Sequence, residues 1–140
     1  MSTNGSYTTA NFMKLEITKK GSFYKSFDSH DVNVEIAGED SGLYSYRGAD
    51  TFSVFFKPQT EDGVATYKFE SKDEKFIWTL KDGISNKYFF MSGTLKETVT
   101  HSPSKRLYEL NGMFADKGGV EYKVVGTAES VSYTHLTLPT

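Results

Sequence analysis

A chain of 140 residues has room for one domain with one core, and 37% hydrophobic with 24% charged residues excludes a disordered composition. The absence of cysteine excludes disulfides, thiolate catalysis and Cys-based zinc sites. A net charge of −2 with scattered Lys and Arg leaves no basic face for DNA or RNA, so no nucleic-acid partner is expected.

The opening segment MSTNGSYTTAN lacks the basic start and apolar stretch of a signal peptide. It reads as a frayed tail over residues 1–11, and Met13 is an alternative start. This predicts a cytoplasmic chain, or a secreted one if the N-terminus is incomplete. No run approaches the roughly 20 apolar residues that span a bilayer, so no membrane span is predicted.

From Met13 onward the dominant pattern is period-two alternation bounded by turn residues. Met13, Leu15 and Ile17 face one way, with Lys14, Glu16 and Thr18 facing the other. A short aromatic strand follows from Phe23 to Phe27. Val32, Val34 and Ile36 alternate with Asn33 and Glu35 until Gly38. Gly42 to Arg47 carries Leu43, Tyr44 and Tyr46. Phe52, Val54 and Phe56 alternate up to Lys57-Pro58, where proline has no N–H for a ladder.

Glu61-Asp62-Gly63 is turn chemistry leading to Ala65, Tyr67 and Phe69. Lys72-Asp73-Glu74 leads to Phe76, Trp78 and Leu80, and Lys81-Asp82-Gly83 ends that strand. Tyr88 to Thr100 is the longest run. In it Phe89 and Phe90 lie on opposite faces, and Gly93 marks a bulge or a close approach. Ser102-Pro103-Ser104 separates it from Leu107 to Phe114. Lys117-Gly118-Gly119 is a hairpin turn before Val120, Tyr122 and Val124.

This predicts an all-β domain over residues 12–130. It is an antiparallel meander of about ten short strands, forming a closed lipocalin-like barrel or a barrel-like two-sheet sandwich. The last ten residues, Val131 to Thr140, read VSYTHLTLPT. They resemble, residue for residue, the translation of a transposase adapter used in preparing sequencing libraries, which implies a non-native tail. His135 therefore leaves every site argument. Ser92-Gly93-Thr94 with Asn111-Gly112-Met113-Phe114 resembles the closing strands of small secreted bacterial β-proteins. That resemblance implies no residue roles.

The polar face of the strands is interrupted at Tyr44/Tyr46, Phe55, Ile77 and Phe89/Met91. Such doubling predicts strands covered on both sides, and with it self-association into a homo-oligomer. An alternative source is a misread bulge.

Asp28-Ser29-His30-Asp31 places a histidine among carboxylates, as a general base would require. The plainer reading is a solvated turn. His101 could join His30 in a two-histidine metal site, but no HxH or HExxH spacing supports one. The acidic pairs Glu39-Asp40, Glu61-Asp62 and Asp73-Glu74 lack the alternating pattern of a calcium loop. GxGxxG, GxxxxGK[ST] and GxSxG are absent. No cofactor or metal is expected.

The aromatic fraction, 15% with 11 Phe and 9 Tyr, is the remaining lead. Tyr and Trp join apolar area to a polar handle, which suits ligand surfaces. The leading reading is a non-enzymatic binding protein. It would hold a small apolar or aromatic molecule, or a carbohydrate, on Tyr44, Tyr46, Tyr67, Trp78, Tyr88 and Tyr108. The alternative is a structural subunit of a homo-oligomeric or phage-like assembly. A hydrolase-type enzyme using His30 or His101 with a carboxylate is the minority reading.

Overall fold

A computed structural model describes residues 11–70, 75–81, 85–101 and 104–131. The readings at Lys72-Asp73-Glu74, Asp82-Gly83, Ser102-Pro103, residues 1–10 and residues 132–140 lie outside these. Eleven strands are present among the described residues: β1 (Phe12–Lys19), β2 (Ser22–Ser29), β3 (Asp31–Glu35), β4 (Gly42–Arg47), β5 (Asp50–Phe55), β6 (Gly63–Glu70), β7 (Phe76–Lys81), β8 (Ser85–Lys87), β9 (Phe89–His101), β10 (Ser104–Ala115) and β11 (Glu121–Val131). The all-β expectation stands, with β8 added.

The strands form two antiparallel sheets, a six-stranded β2-β1-β11-β10-β9-β6 and a five-stranded β3-β4-β5-β7-β8. Two expectations are corrected. Among the described residues the sheets keep open edges at β2, β6, β3 and β8, so no closed barrel is found. The order is also not a plain meander. β1 pairs with β11, β5 pairs with β7, and β6 leaves its sequence neighbours to pair with β9. The chain changes sheet four times, from β2 to β3, β5 to β6, β6 to β7 and β8 to β9. Closure needs a ladder that runs unbroken round the strands, and the open edges interrupt it.

The two sheets pack crosswise. Along β5, Asp50 meets Lys25 and Phe52 meets Phe27, both on β2. Just beyond β5, Phe56 meets Tyr108 of β10 and Tyr67 of β6. β5 therefore crosses the six-stranded sheet from one edge to the other, as in orthogonal sheet packing. β7 repeats the crossing, with Phe76 over β9 and β10 and Trp78 against Phe114 and Tyr122.

Inward positions obey the alternation read from the sequence. Met13, Leu15, Ile17, Leu95, Val99, Leu110 and Val124 are all buried. Gly93 answers the bulge-or-approach question as a close approach. It pairs with Gly112, and the Phe76 ring lies over both, 3.1 and 3.2 Å from where their Cβ atoms would be. The bulge falls nearby, where the register shifts between Met113 and Phe114. The void bordered by Leu15, Phe52, Phe76, Leu110 and Phe114 holds about 10 Å³. That is no more than one water needs.

Gly126 is the tightest contact between β1 and β11. A Cβ there would lie 1.9 Å from the Lys14 carbonyl oxygen, whereas one at Gly118 would meet nothing nearer than 3.5 Å. Gly126→Ala is expected to cost about 3 kcal/mol by forcing these strands apart. Gly118→Ala should stay within about 0.5 kcal/mol. Urea unfolding midpoints of the two variants check the difference.

Candidate functional site

The six aromatics singled out from the sequence divide into three groups. Trp78 is 0% exposed and lies in a parallel stack, 3.7 Å from the Tyr88 ring and 5.2 Å from Phe52. Phe114 and Tyr122 close on it edge-first. Tyr88 and Tyr108 are buried as well. These three rings fill the core and present no surface to a ligand from solvent. Tyr67 is half-buried. Only Tyr44 and Tyr46 turn outward, on β4.

Tyr67 and Tyr108 meet at a residue that sequence reasoning passed over. Glu97 on β9 is 0% exposed, and its carboxylate accepts hydrogen bonds from Tyr108 Oη (2.8 Å), Arg106 Nη1 (3.0 Å) and the Gln59 amide (2.9 Å). Tyr67 Oη lies 3.4 Å from it and also donates to the Lys57 carbonyl. A signal was present in the sequence: Glu97 stands between Leu95 and Val99 in the inward phase of its strand. A charge in that phase needs buried partners.

The outward face of the five-stranded sheet is the most distinctive surface. The register places Asp31, Tyr46, Thr51 and Thr79 in one row across β3, β4, β5 and β7. Asn33, Tyr44, Ser53 and Ile77 form the next row, with Glu35, Gly42 and Phe55 beyond. Three of the four interruptions noted in the sequence, Tyr44/Tyr46, Phe55 and Ile77, thus share one face. Tyr44 meets Phe55 edge-on at 5.7 Å, and its hydroxyl donates to the Asp40 carbonyl. Tyr46 is 46% exposed.

At the Tyr46 end this face runs into an open depression of about 430 Å³ lined by Asp28, Ser29, His30, Asp31, Tyr46 and Arg47. The corner is held by Ser29 Oγ, which donates to the Tyr46 carbonyl and accepts from the Asp31 amide. Arg47 donates to the Asp28 carbonyl, and Asn33 donates to the Asp31 carboxylate. The depression therefore joins an exposed ring to two carboxylates, a guanidinium and an imidazole.

His30 Nδ1 lies 2.9 Å from the Asn11 carbonyl oxygen, whereas His101 pairs with Asp62 at the far end of β9. Four strand spacings separate the two across the six-stranded sheet, roughly 19 Å at the usual interstrand distance. They do not share a site. His101 and Asp62 form a histidine–carboxylate pair in open solvent. Among the described residues no group of three His, Asp or Glu side chains is placed to hold a metal.

Replacing Glu97 by Gln leaves Arg106 buried against a neutral partner, and the expected loss is about 3 kcal/mol. The double substitution Glu97→Leu with Arg106→Leu should cost less than Glu97→Gln. Chemical denaturation of the three proteins reads this order.

Burial raises several phenol groups. The Tyr122 hydroxyl is pushed up to about 12 by burial and by the Asp116 carboxylate that it donates to. Tyr108 is raised by burial and the Glu97 carboxylate, and Tyr88 by burial and the Tyr24 phenol. A tyrosine whose folded-state value exceeds the unfolded value near 10 stabilises fully below that pH. The contribution is lost as pH rises toward the folded value. Stability should therefore hold up to about pH 10 and fall as pH approaches the Tyr122 value of about 12. Tyr122→Phe should make the fall shallower. Denaturant midpoints across the alkaline range test this, and a flat profile would contradict it.

No family model, no curated protein and no solved structure matches this chain.

Proposed function

We propose that this is a non-enzymatic binding protein that holds a carbohydrate on the outward face of its five-stranded sheet. The fold it uses is a barrel-like two-sheet sandwich. The observation that carries the reading is the grouping of Tyr44, Tyr46 and Phe55 on one flat face that leads into the Asp28–Arg47 depression.

A sugar ring has an apolar C–H face and a rim of hydroxyls. The first stacks on an aromatic plane, and the second needs donors and acceptors at its edge. Tyr46 supplies the plane. Asp28, Asp31, His30 and Arg47 supply the edge, with Thr51 and Thr79 as further hydroxyl partners. The void bordered by Leu15, Phe52, Phe76, Leu110 and Phe114 holds about 10 Å³, too little for a small organic molecule, which supports a surface site over one there. An interface between copies of the chain is the second reading, favoured by Ile77 and Ile36, both exposed, and by the half-buried Phe55.

Electrophoresis through gels containing soluble polysaccharides (xylan, β-glucan, starch and pectin) separates the two. Retardation by at least one polymer is expected. Tyr46→Ala should weaken it about tenfold, the equivalent of ~1.4 kcal/mol, without changing the unfolding midpoint. Retardation unaffected by Tyr46→Ala, or none in any polymer, overturns the carbohydrate reading. A concentration-dependent mass in light scattering that Tyr46→Ala abolishes, without retardation, establishes the interface instead.

A further inference from the structure

We infer that the cleft between the β1–β2 and β10–β11 turns, on the outward face of the six-stranded sheet, binds a small organic anion with a short apolar body. The anion is a carboxylate, or a phosphate or sulfate ester. The cleft has a volume of about 590 Å³ and lies on the opposite side of the molecule from the aromatic face, so it does not depend on the carbohydrate reading. Its size falls within the usual range of small-molecule sites.

The register builds its floor. Thr18, Lys123 and Met113 follow one another as Cα partners across β1, β11 and β10. One wall is the Lys20-Gly21 turn and the other is Gly118-Gly119-Val120. The second wall is held from behind by Asp116, whose carboxylate accepts from the Gly118 and Val120 amides. Apolar surface comes from Met113 and Val120.

Charge decides the ligand class. Lys20 lines the cleft from the β1–β2 turn and Lys123 from β11, and neither has an ion-pair partner among the described residues. Glu121 is the only carboxylate in the lining, which leaves an excess of one positive charge on a chain whose net charge is −2. Lys20 is also the one described non-glycine residue with positive φ, at 53°. Glycine or asparagine would occupy that turn position with less strain. Lys20 brings to the lining a positive charge that glycine or asparagine would not supply. Gly21 and Gly119 have nothing within 4 Å of a notional Cβ, so both walls are open to a ligand.

The test titrates the ¹⁵N-labelled protein with hexyl phosphate, inorganic phosphate, hexanol, and phosphatidylcholine vesicles with and without phosphatidylglycerol. Amide shifts at Gly21, Gly118, Gly119, Val120 and Lys123 report binding. Hexyl phosphate, or the anionic vesicles, should move these signals saturably, and Lys20→Gly and Lys123→Gln should each weaken binding about tenfold. Lys20→Gly suits the positive φ, so its thermal midpoint should equal or exceed the parent's while binding falls. A merely structural lysine would not give opposite changes.

Response to the soluble ester alone identifies a free metabolite as the source, and response to anionic vesicles alone identifies a lipid headgroup. Binding that both variants leave intact, hexanol binding as well as the ester, or shifts away from the two turns overturns the inference. Equal affinity for inorganic and hexyl phosphate overturns the apolar part.

Discussion

The seat that Gly93 and Gly112 make for Phe76 governs how the two sheets meet. Facing each other across β9 and β10, these glycines remove the side chains that would otherwise stand between the sheets. A phenyl ring from β7 then descends almost to the backbone, within contact of Phe69 and Phe90 at 5.0 and 4.9 Å. That low point sets the height of β7, and so of Trp78 two residues on. Trp78 in turn positions the stack with Phe52 and Tyr88. Side chains larger than hydrogen at either glycine would lift β7 and separate the stack from Phe114 and Tyr122.

Crosswise packing at this depth leaves only about 10 Å³ in the void that Leu15, Phe52, Phe76, Leu110 and Phe114 border. The two outward faces then differ in kind. On the six-stranded sheet, Asp28, Lys14, Thr127, Glu109, Lys96 and Thr66 form one row of alternating charge and hydroxyl. Lys96 and Glu109 pair across it at 3.6 Å. Such a face is well solvated, and its turn-bounded corner forms a cleft. The five-stranded sheet turns tyrosine and phenylalanine outward in rows where solvated positions would carry charge. Tyr44 shares its exposure with the neighbouring Phe55 ring and with the Asp40 carbonyl that its hydroxyl reaches.

Alternation gave the strands and their inward phase, because period two is a local property of the chain. Sheet membership was not legible. Nothing near Gly63 says that β6 will pair with β9 rather than β7, since that depends on contacts some thirty residues away. The doubling at Phe89/Met91 was half legible: Phe90 is buried while both neighbours are exposed, and the adjacent register shift distorts the apparent phase. Of the candidate aromatics, Tyr44 and Tyr46 could be placed outward because Leu43 and Ser45 take the inward phase. Trp78 and Tyr108 stood in inward phase from the start, and their polar atoms drew attention that their position did not support.

Glu97 shows what a buried charge contributes to such a fold. Apolar side chains of similar volume would serve stability as well or better, because desolvation of the ion pair offsets most of its attraction. Its value lies in direction. The carboxylate draws in the Gln59 amide just after Pro58, and the Gln59 side chain also reaches the Glu97 carbonyl. Tyr67 ties the Lys57 carbonyl to the same point. The chain leaving β5 is thereby pinned beside β9 before β6 begins, and β6 is placed to pair with β9 rather than continue its former sheet. An apolar residue at this position would attract many segments equally. A carboxylate that must be satisfied by one amide, one guanidinium and the Tyr108 phenol accepts a single path for the crossing.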